Sequence, residues 1–285
     1  MPAPARSRWI AAGVTTGRRA ALPPGARQRH LDTFPGEIVE SGSMPKTAGI
    51  LLIGNEILSG KITDANAVYL CRELRRLGVD VRRLTVIPDE VEAIAQEVAA
   101  QSRAYDYVFT SGGVGPTHDD VTIDGVARAM GVRVVRDPRL VALLRGFYRE
   151  SLNEARLKMA DVPEGAELVA ADVLVFPAIV VRNVYLLPGV PEIFRQKFEA
   201  LRERFRGEPF HLRSVFVSMS EGTLADFLND LLQKYPDLLL GSYPEFAHPE
   251  YKVKVTLESR DPDYLGRALE DLLARLPRAS VVRVE

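Results

Sequence analysis

From Tyr107 to Gly131 the chain passes from a short apolar stretch through a glycine-rich turn into an amphipathic segment, and this junction narrows the folds open to it. Tyr107-Val108-Phe109 has the make-up of a buried strand. Val121, Val126, Ala129 and Met130 recur at helical spacing. Between them lies Thr110-Ser111-Gly112-Gly113-Val114-Gly115-Pro116-Thr117-His118-Asp119-Asp120. Glycine lets backbone amides approach a ligand closely, and a helix N-terminus favours an anion. Asp119 and Asp120 would repel a bare phosphate, so loop and acids together predict a phosphate held with a divalent cation (magnesium, manganese or cobalt). Helix capping accounts for one aspartate, but not for Gly112, Gly113, Gly115, Pro116 and two acids together. Asp119 and Asp120 are therefore the candidate catalytic and metal-binding pair.

The same rhythm extends to both sides. Residues 48–53 read as a strand and 65–77 as a helix, with Ala67, Leu70, Cys71, Leu74 and Leu77 on one face and Gly78 as its stop. A strand over 79–86 and a helix over 91–102 precede the glycine loop. After it come a strand at 132–135 and a helix at 138–150 that continues through 152–159. Strands at 168–176 and 179–187 follow, then a helix at 191–206. Strands alternating with helices of this length imply an α/β fold, a mostly parallel sheet covered on both faces. Ligands then bind beyond the carboxyl ends of the strands, where the loops starting at Gly54, Thr110 and Pro188 lie. After Gly207 the order becomes β-α-β-β-α-β, the ferredoxin-like arrangement of a smaller α+β domain. The expected divisions are thus 1–43, 44–207 and 208–285. Residues 1–43 carry six arginines, no lysine and no acid before Asp32, without hydrophobic period. That composition predicts a disordered extension, a transit segment or, as preferred here, a start assigned too early, before Met44.

Composition removes several function classes. A net charge of −1 argues against a nucleic-acid binder driven by bulk electrostatics. A single cysteine, Cys71, excludes an intramolecular disulfide and any multi-cysteine metal site, and its place beside Leu70 and Leu74 predicts a buried structural thiol. No apolar run approaches the length of a membrane span, so a cytoplasmic protein is expected.

Gly54-Asn55-Glu56-Ile57-Leu58-Ser59-Gly60-Lys61 resembles a P-loop only superficially. It has one residue too many between the glycines, and Ile62 stands where Ser or Thr should hold magnesium. Gly54, Glu56 and Ser59 nonetheless sit at the ligand edge. Asp64 and Asn66 suit ligand hydroxyls; Asp64 is equally suited to cap the next helix. Gly189 and Glu192 belong to a rigid Pro-Gly-Val-Pro turn at the same edge, where a carboxylate also complements the helix dipole. Arg156 and Lys158, near Asn153, offer cations for a phosphate or a leaving-group oxygen, or a solvated helix face. With Ser111, Gly112, Gly113, Gly115, Pro116 and Thr117 these form the candidate substrate wall. Among the histidines only His118 is placed to take part.

These motifs in this order, I-G-N-E-I-L-S-G-K (53–61), D-A-N (64–66), S-G-G-V-G-P-T-H-D-D-V-T (111–122), A-R-L-K-M-A (155–160) with V-P-E-G (162–165), and L-P-G-V-P-E (187–192), resemble the molybdopterin-binding-like (MoaB/Mog) domain. The likeness is to the branch found in competence/damage-inducible CinA proteins and in the N-terminal half of animal-type FAD synthases, nearer the latter through V-R-N-V-Y-L-L-P-G-V-P-E (181–192), L-G-S-Y-P-E (240–245) and Y-K-V-K-V-T-L-E-S (251–259). The resemblance covers Thr47 to the C-terminus. It implies a three-layer α/β/α fold and a site for a pterin- or nucleotide-phosphate at the loop matched by Gly112, Gly113, Gly115, Thr117, Asp119 and Asp120. Asn55 stands where many members carry aspartate. It implies metal-dependent hydrolysis of a nucleotide diphosphate, ADP-ribose in the CinA-like branch or FAD in the synthase branch. A pterin- or nucleotide-binding module without turnover and molybdopterin adenylylation stay open as alternatives. No organic cofactor beyond the substrate is expected, the partner is a small molecule rather than nucleic acid or membrane, and a homo-oligomer is a fair expectation. Neither the deamidase module of CinA nor the adenylyl-transferring module of FAD synthase is seen after this region, so neither activity is expected.

Overall fold

The computed structural model describes residues 45–170 and 173–285; the expectations for residues 1–43 lie outside them. The chain begins with β1 (Thr47–Ile53), a one-turn helix α1 (Asn55–Leu58), α2 (Asn66–Arg76) and β2 (Asp80–Ile87). Next come α3 (Val91–Ala104), β3 (Tyr107–Ser111), α4 (Thr122–Met130) and β4 (Val134–Arg136). Then follow α5 (Pro138–Tyr148), α6 (Glu154–Leu157), β5 (Asp161–Pro163), β6 (Glu167–Val169), β7 (Ala178–Val181), β8 (Val184–Leu187) and α7 (Pro191–Leu201).

The main sheet has the order β2-β1-β3-β8-β7-β6. β2, β1, β3 and β8 run parallel, and β7 and β6 antiparallel to their neighbours. β1 is a continuous apolar run because both of its faces are covered. Ile50 and Leu52 point into one core with Leu70 and Leu74 of α2 and Phe194 and Phe198 of α7. Leu51 and Ile53 point into the other, with Ile94 and Val98 of α3, Val126 of α4 and Leu140 of α5. Each such side chain contributes roughly 1.5–3 kcal/mol by burial, so helices on both faces hold the sheet.

The sequence expectations need correction on the far side of the sheet. Residues 179–187 are not one strand but the hairpin β7–β8, because Arg182, at φ 54°, and Asn183 turn the chain within two residues. The strand expected over 168–176 is confined to β6, and residues 152–159 hold only the short α6 and a 3₁₀ turn. β4 pairs with β5 in a separate two-stranded sheet.

β9 (His211–Val217), α8 (Glu221–Lys234), β10 (Leu239–Pro244), β11 (Val253–Ser259), α9 (Pro262–Arg275) and β12 (Val281–Val284) build the second, smaller unit. Its antiparallel sheet has the order β10-β11-β9-β12, as the ferredoxin-like reading requires. Alternate residues Val253, Val255 and Leu257 of β11 meet Leu224, Leu231, Leu265 and Leu272 of the two helices. The Arg75 guanidinium of α2 donates through Nε and Nη2 to the Glu258 carboxylate of β11, each at 2.7 Å. Arg75 and Arg260 also lie 3.3 and 4.3 Å from the centroid of the Phe210 ring, so cation–π contacts reinforce this junction.

Cys71 is half-buried against the first core, and burial pushes its thiol above the ordinary value. Among the described residues no helix is long and apolar enough to cross a membrane.

Candidate active site

β3 ends at the carboxyl edge of the sheet, and the chain turns through residues 112–121 before α4 begins. Gly112 has φ 109°, and a Cβ there would stand 2.2 Å from the Ile53 carbonyl oxygen. Gly113 follows at φ 66°, so the turn is open to glycine alone. Thr122, fully buried at the start of α4, fastens the turn from beneath. Its hydroxyl donates to the Gly112 carbonyl at 2.8 Å and its amide to the Gly113 carbonyl at 2.9 Å. The amides of Gly113, Val114 and Gly115 are left with no acceptor among the described residues. Three successive backbone donors without an internal acceptor are a feature on which an anion-binding concavity can be built.

The far half of the loop is held by its own side chains. Asp120 Oδ2 accepts from the Thr117 amide at 2.7 Å and from the Thr117 hydroxyl at 2.5 Å, whereas Oδ1 makes no hydrogen bond. Lys158 Nζ donates to the carbonyls of Thr117 at 3.0 Å and Asp120 at 2.7 Å. Asp119 faces solvent, its carboxyl held below the ordinary value chiefly by the Thr117 side chain. The Thr117 hydroxyl lies nearer Asp120, whose claim on it the geometry favours. His118 is almost wholly exposed.

Asn66 joins three loops. Only 3% exposed, it donates through Nδ2 to Ser111 Oγ at 3.0 Å and to the Gly189 carbonyl at 2.8 Å, while its Oδ1 is buried without a partner. Asp64 accepts from the amides of Asn66 and Ala67, so it does cap α2.

A cavity of about 720 Å³ opens along this edge. Of the predicted residues, Glu56, Asp64, Asn66, Ser111, Gly112, Gly113, Gly115, Pro116, Asp120, Lys158 and Gly189 line it. Gly54, Ser59, Thr117, Asp119, Arg156 and Glu192 are not part of that wall. Thr117 is engaged with Asp120, and Arg156 turns away to the Ser151 carbonyl and the face of Tyr148, 4.4 Å from its centroid. Ser59, Asp119 and Glu192 are exposed, while Gly54 is buried behind Glu56. The structure adds Asp124, Asp161, Phe176 and Lys197 to the wall. Asp124, in the first turn of α4, follows Asp120 by four residues, a spacing visible in the sequence. Lys197 shares a stripe with Phe194, Phe198 and Leu201, and a cation in a buried stripe is its own signal. Asp161 and Phe176 come from segments that only folding brings here.

No three His, Cys, Asp or Glu residues among the described ones converge as a ready-made metal centre. Of the carboxylates on the cavity wall, Asp64 is engaged by the amides of Asn66 and Ala67 and Asp161 by Arg136, whereas Asp120 Oδ1 makes no hydrogen bond and is the oxygen suited to a hard cation that completes its shell with phosphate oxygens and water.

Residues 49–206 match the family model described as a probable molybdopterin binding domain, and residues 209–285 match that of the FAD synthase middle domain. A protein of Archaeoglobus fulgidus is 40% identical over 221 residues, covering 78% of this chain and 94% of that one. A probable FAD synthase of Caenorhabditis elegans is 32% identical over 260 residues, covering 80% of this chain but 50% of its own, so the chain spans half the length of that relative. The crystal structure of CinA from Thermoplasma acidophilum, a protein described as of unknown function, aligns at a TM-score of 0.52 with 31% identity, over 57% of this chain and 100% of that one. The chain belongs to the molybdopterin-binding-domain family, in a form continued by the middle domain of FAD synthases.

Proposed function

We propose that this cleft hydrolyses a phosphoanhydride in a nucleotide diphosphate such as ADP-ribose or FAD, with a divalent cation. The observation that carries this reading is the sharing of one cavity by the unpaired amides of Gly113–Gly115 and the Asp120 carboxylate. The amides would stabilise charge gathering on the phosphoryl oxygens, already oriented before the substrate arrives. Asp120 Oδ1 would hold the cation at the same cavity, whereas Asp119, exposed and outside the cavity wall, is a carboxylate next in sequence that only a ligand or cation reaching the loop's outer side would meet. When bound, that cation supplies charge neutralisation and a more acidic attacking water. Lys158 keeps the loop in shape and adds positive charge for the leaving phosphate. Asn66, through Nδ2, fixes Ser111 and the Gly189 carbonyl in the wall against which the ligand would lie.

One observation favours a second reading, a nucleotide- or pterin-binding module without turnover: Asp120 already braces its own loop, and Asp119 points to solvent. The deciding experiment is hydrolysis of ADP-ribose, FAD, NAD and ATP with magnesium, manganese or cobalt, and with chelator. Cleavage that chelator abolishes supports the pyrophosphatase. Metal-independent binding with no cleavage leaves the binding module.

A further inference from the structure

Lys197 of α7 is 7% exposed, and its side chain has no part in the chemistry proposed above. Its Nζ donates to the Pro177 carbonyl at 2.7 Å and lies 5.2 Å from the centroid of the Phe176 ring. Burial alone displaces its pKa, down to about 8, and no carboxylate among the described residues offsets this. Tying α7 to Pro177 needs a single donor, which a neutral side chain would supply without the cost of burying a cation.

The amine is nonetheless within reach of a small molecule. A second cavity of about 860 Å³ runs between α5 and α7 and meets the first at a seam made by Met159, Phe176, Ile193 and Lys197. Leu143, Phe147 and Val175 give this second cavity an apolar wall, and Phe147 and Val175 are themselves exposed. Its charged residues besides Lys197 are Arg195 and Glu199; those of the first cavity are Glu56, Asp64, Asp120, Asp124, Lys158 and Asp161. The only hydrogen-bond acceptor that Nζ has among the described residues is the Pro177 carbonyl. An amine desolvated in this way, with a cavity in front of it, is a nucleophile at a pH where ordinary lysines stay protonated.

We propose that Lys197 is a covalent attachment site, its Nζ condensing with an aldehyde whose apolar tail lies in the second cavity. The ammonium first gives one proton to water. The nitrogen lone pair then bonds to the carbonyl carbon, while the π pair of the C=O bond moves to oxygen, which is protonated. The carbinolamine loses that oxygen as water, and an iminium remains. In the overall balance two of the three ammonium protons leave with the water, and the third stays on nitrogen, where the Pro177 carbonyl accepts it. The positive charge is conserved, now shared between nitrogen and carbon near the Phe176 ring. The condensation needs no oxidant, reductant or metal. It uses neither the glycine loop nor Asp120, and so is independent of phosphoanhydride cleavage.

The test is reductive trapping of the full chain with hexanal and cyanoborohydride near neutral pH, the hexylated lysines being mapped by peptide mass spectrometry. Lys197 should be modified at least about tenfold faster than each of Lys46, Lys61, Lys158, Lys234, Lys252 and Lys254. With glycolaldehyde, which has no apolar tail, the preference for Lys197 should fall to about threefold or less. Phe147 is 64% exposed, so Phe147→Asp should melt with wild type while placing a charge on the wall of the second cavity. This variant should hexylate Lys197 about fivefold more slowly and the other lysines at the wild-type rate. Hexylation of Lys197 no faster than that of the other lysines would overturn the attachment site. An undiminished preference with glycolaldehyde, or an unchanged rate in folded Phe147→Asp, would overturn the place of the tail.

Discussion

Asp120 and Thr117 are locked to each other, the carboxylate Oδ2 accepting from both the amide and the hydroxyl of the threonine at 2.7 and 2.5 Å. The aspartate therefore shapes the loop with one oxygen and offers the other to the cavity. Asp120→Asn keeps an oxygen that can accept from Thr117 and removes the charge. It should melt within a few degrees of wild type yet hydrolyse the preferred dinucleotide about 100-fold more slowly. Thr117→Ala should do the reverse, lowering stability by about 1 kcal/mol with the smaller loss of rate. Equal rates for Asp120→Asn and wild type, in a metal-saturated assay, would remove the carboxylate from the chemistry.

Asn66 holds the starts of α2 and the 188–189 turn to the end of β3 through one amide group. Asn66→Asp retains the size but loses both donors and buries a charge beside the Gly189 carbonyl. It should destabilise the protein by more than Asn66→Ala, which we place at roughly 1–3 kcal/mol. Denaturant titration of both variants gives the order directly.

The glycine loop can be separated from an ordinary helix stop. Gly131, at φ 67°, has open space where a methyl group would sit, whereas at Gly112 the Ile53 carbonyl blocks it. Gly131→Ala should thus lose about 1–2 kcal/mol from backbone conformation alone. Gly112→Ala should lose more, and should abolish phosphate binding even where the chain still folds. Thermal melts with and without inorganic pyrophosphate distinguish the two.

Lys197 makes stability depend on pH in a defined direction. Its pKa falls from 10.5 in the unfolded chain to about 8 in the folded one, for which burial is the cause. Between these values the unfolded chain binds more protons, so stability rises with pH through that window. Below pH 8 the penalty is complete, about 3 kcal/mol. Lys197→Met should accordingly gain most over wild type at pH 7, and its advantage should shrink as pH rises from 8 towards 10. A constant advantage across that range would mean that the amine is not titrating in the fold.

The Arg75–Glu258 pair is about three-quarters buried, with two hydrogen bonds in fork geometry. A double-mutant cycle with Arg75→Ala and Glu258→Ala should return a coupling of about 1 kcal/mol, reduced by added salt. No coupling would mean that the Phe210 stacking carries the junction.

Local order was legible in the residues. The apolar run of β1, the helical period of α2 and α7, the stop at Gly131 and the glycine turn after β3 each follow from short-range sterics and from burial on one face or two. The α/β succession and the β-α-β-β-α-β tail are sums of such local preferences, which is why they could be read in order. The turn at Arg182-Asn183 was not legible, because nothing in its composition demands positive φ; pairing of β7 with β8 imposes it. The same division holds at the site. The residue types in the loop announce a place for an anion, but amides can be counted as unpaired only after Thr122 has bonded the carbonyls of Gly112 and Gly113. Arg156 and Lys158 are two residues apart and equal as cations in the sequence, yet Lys158 reaches the loop and Arg156 lies on Tyr148. Asp161, Phe176 and Lys197 join the cavity from three separate segments. Sequence determines what each segment can become, because conformational preference is local; which side chains meet is decided by packing, because contact between distant segments exists only once the cores on both faces of the sheet have closed.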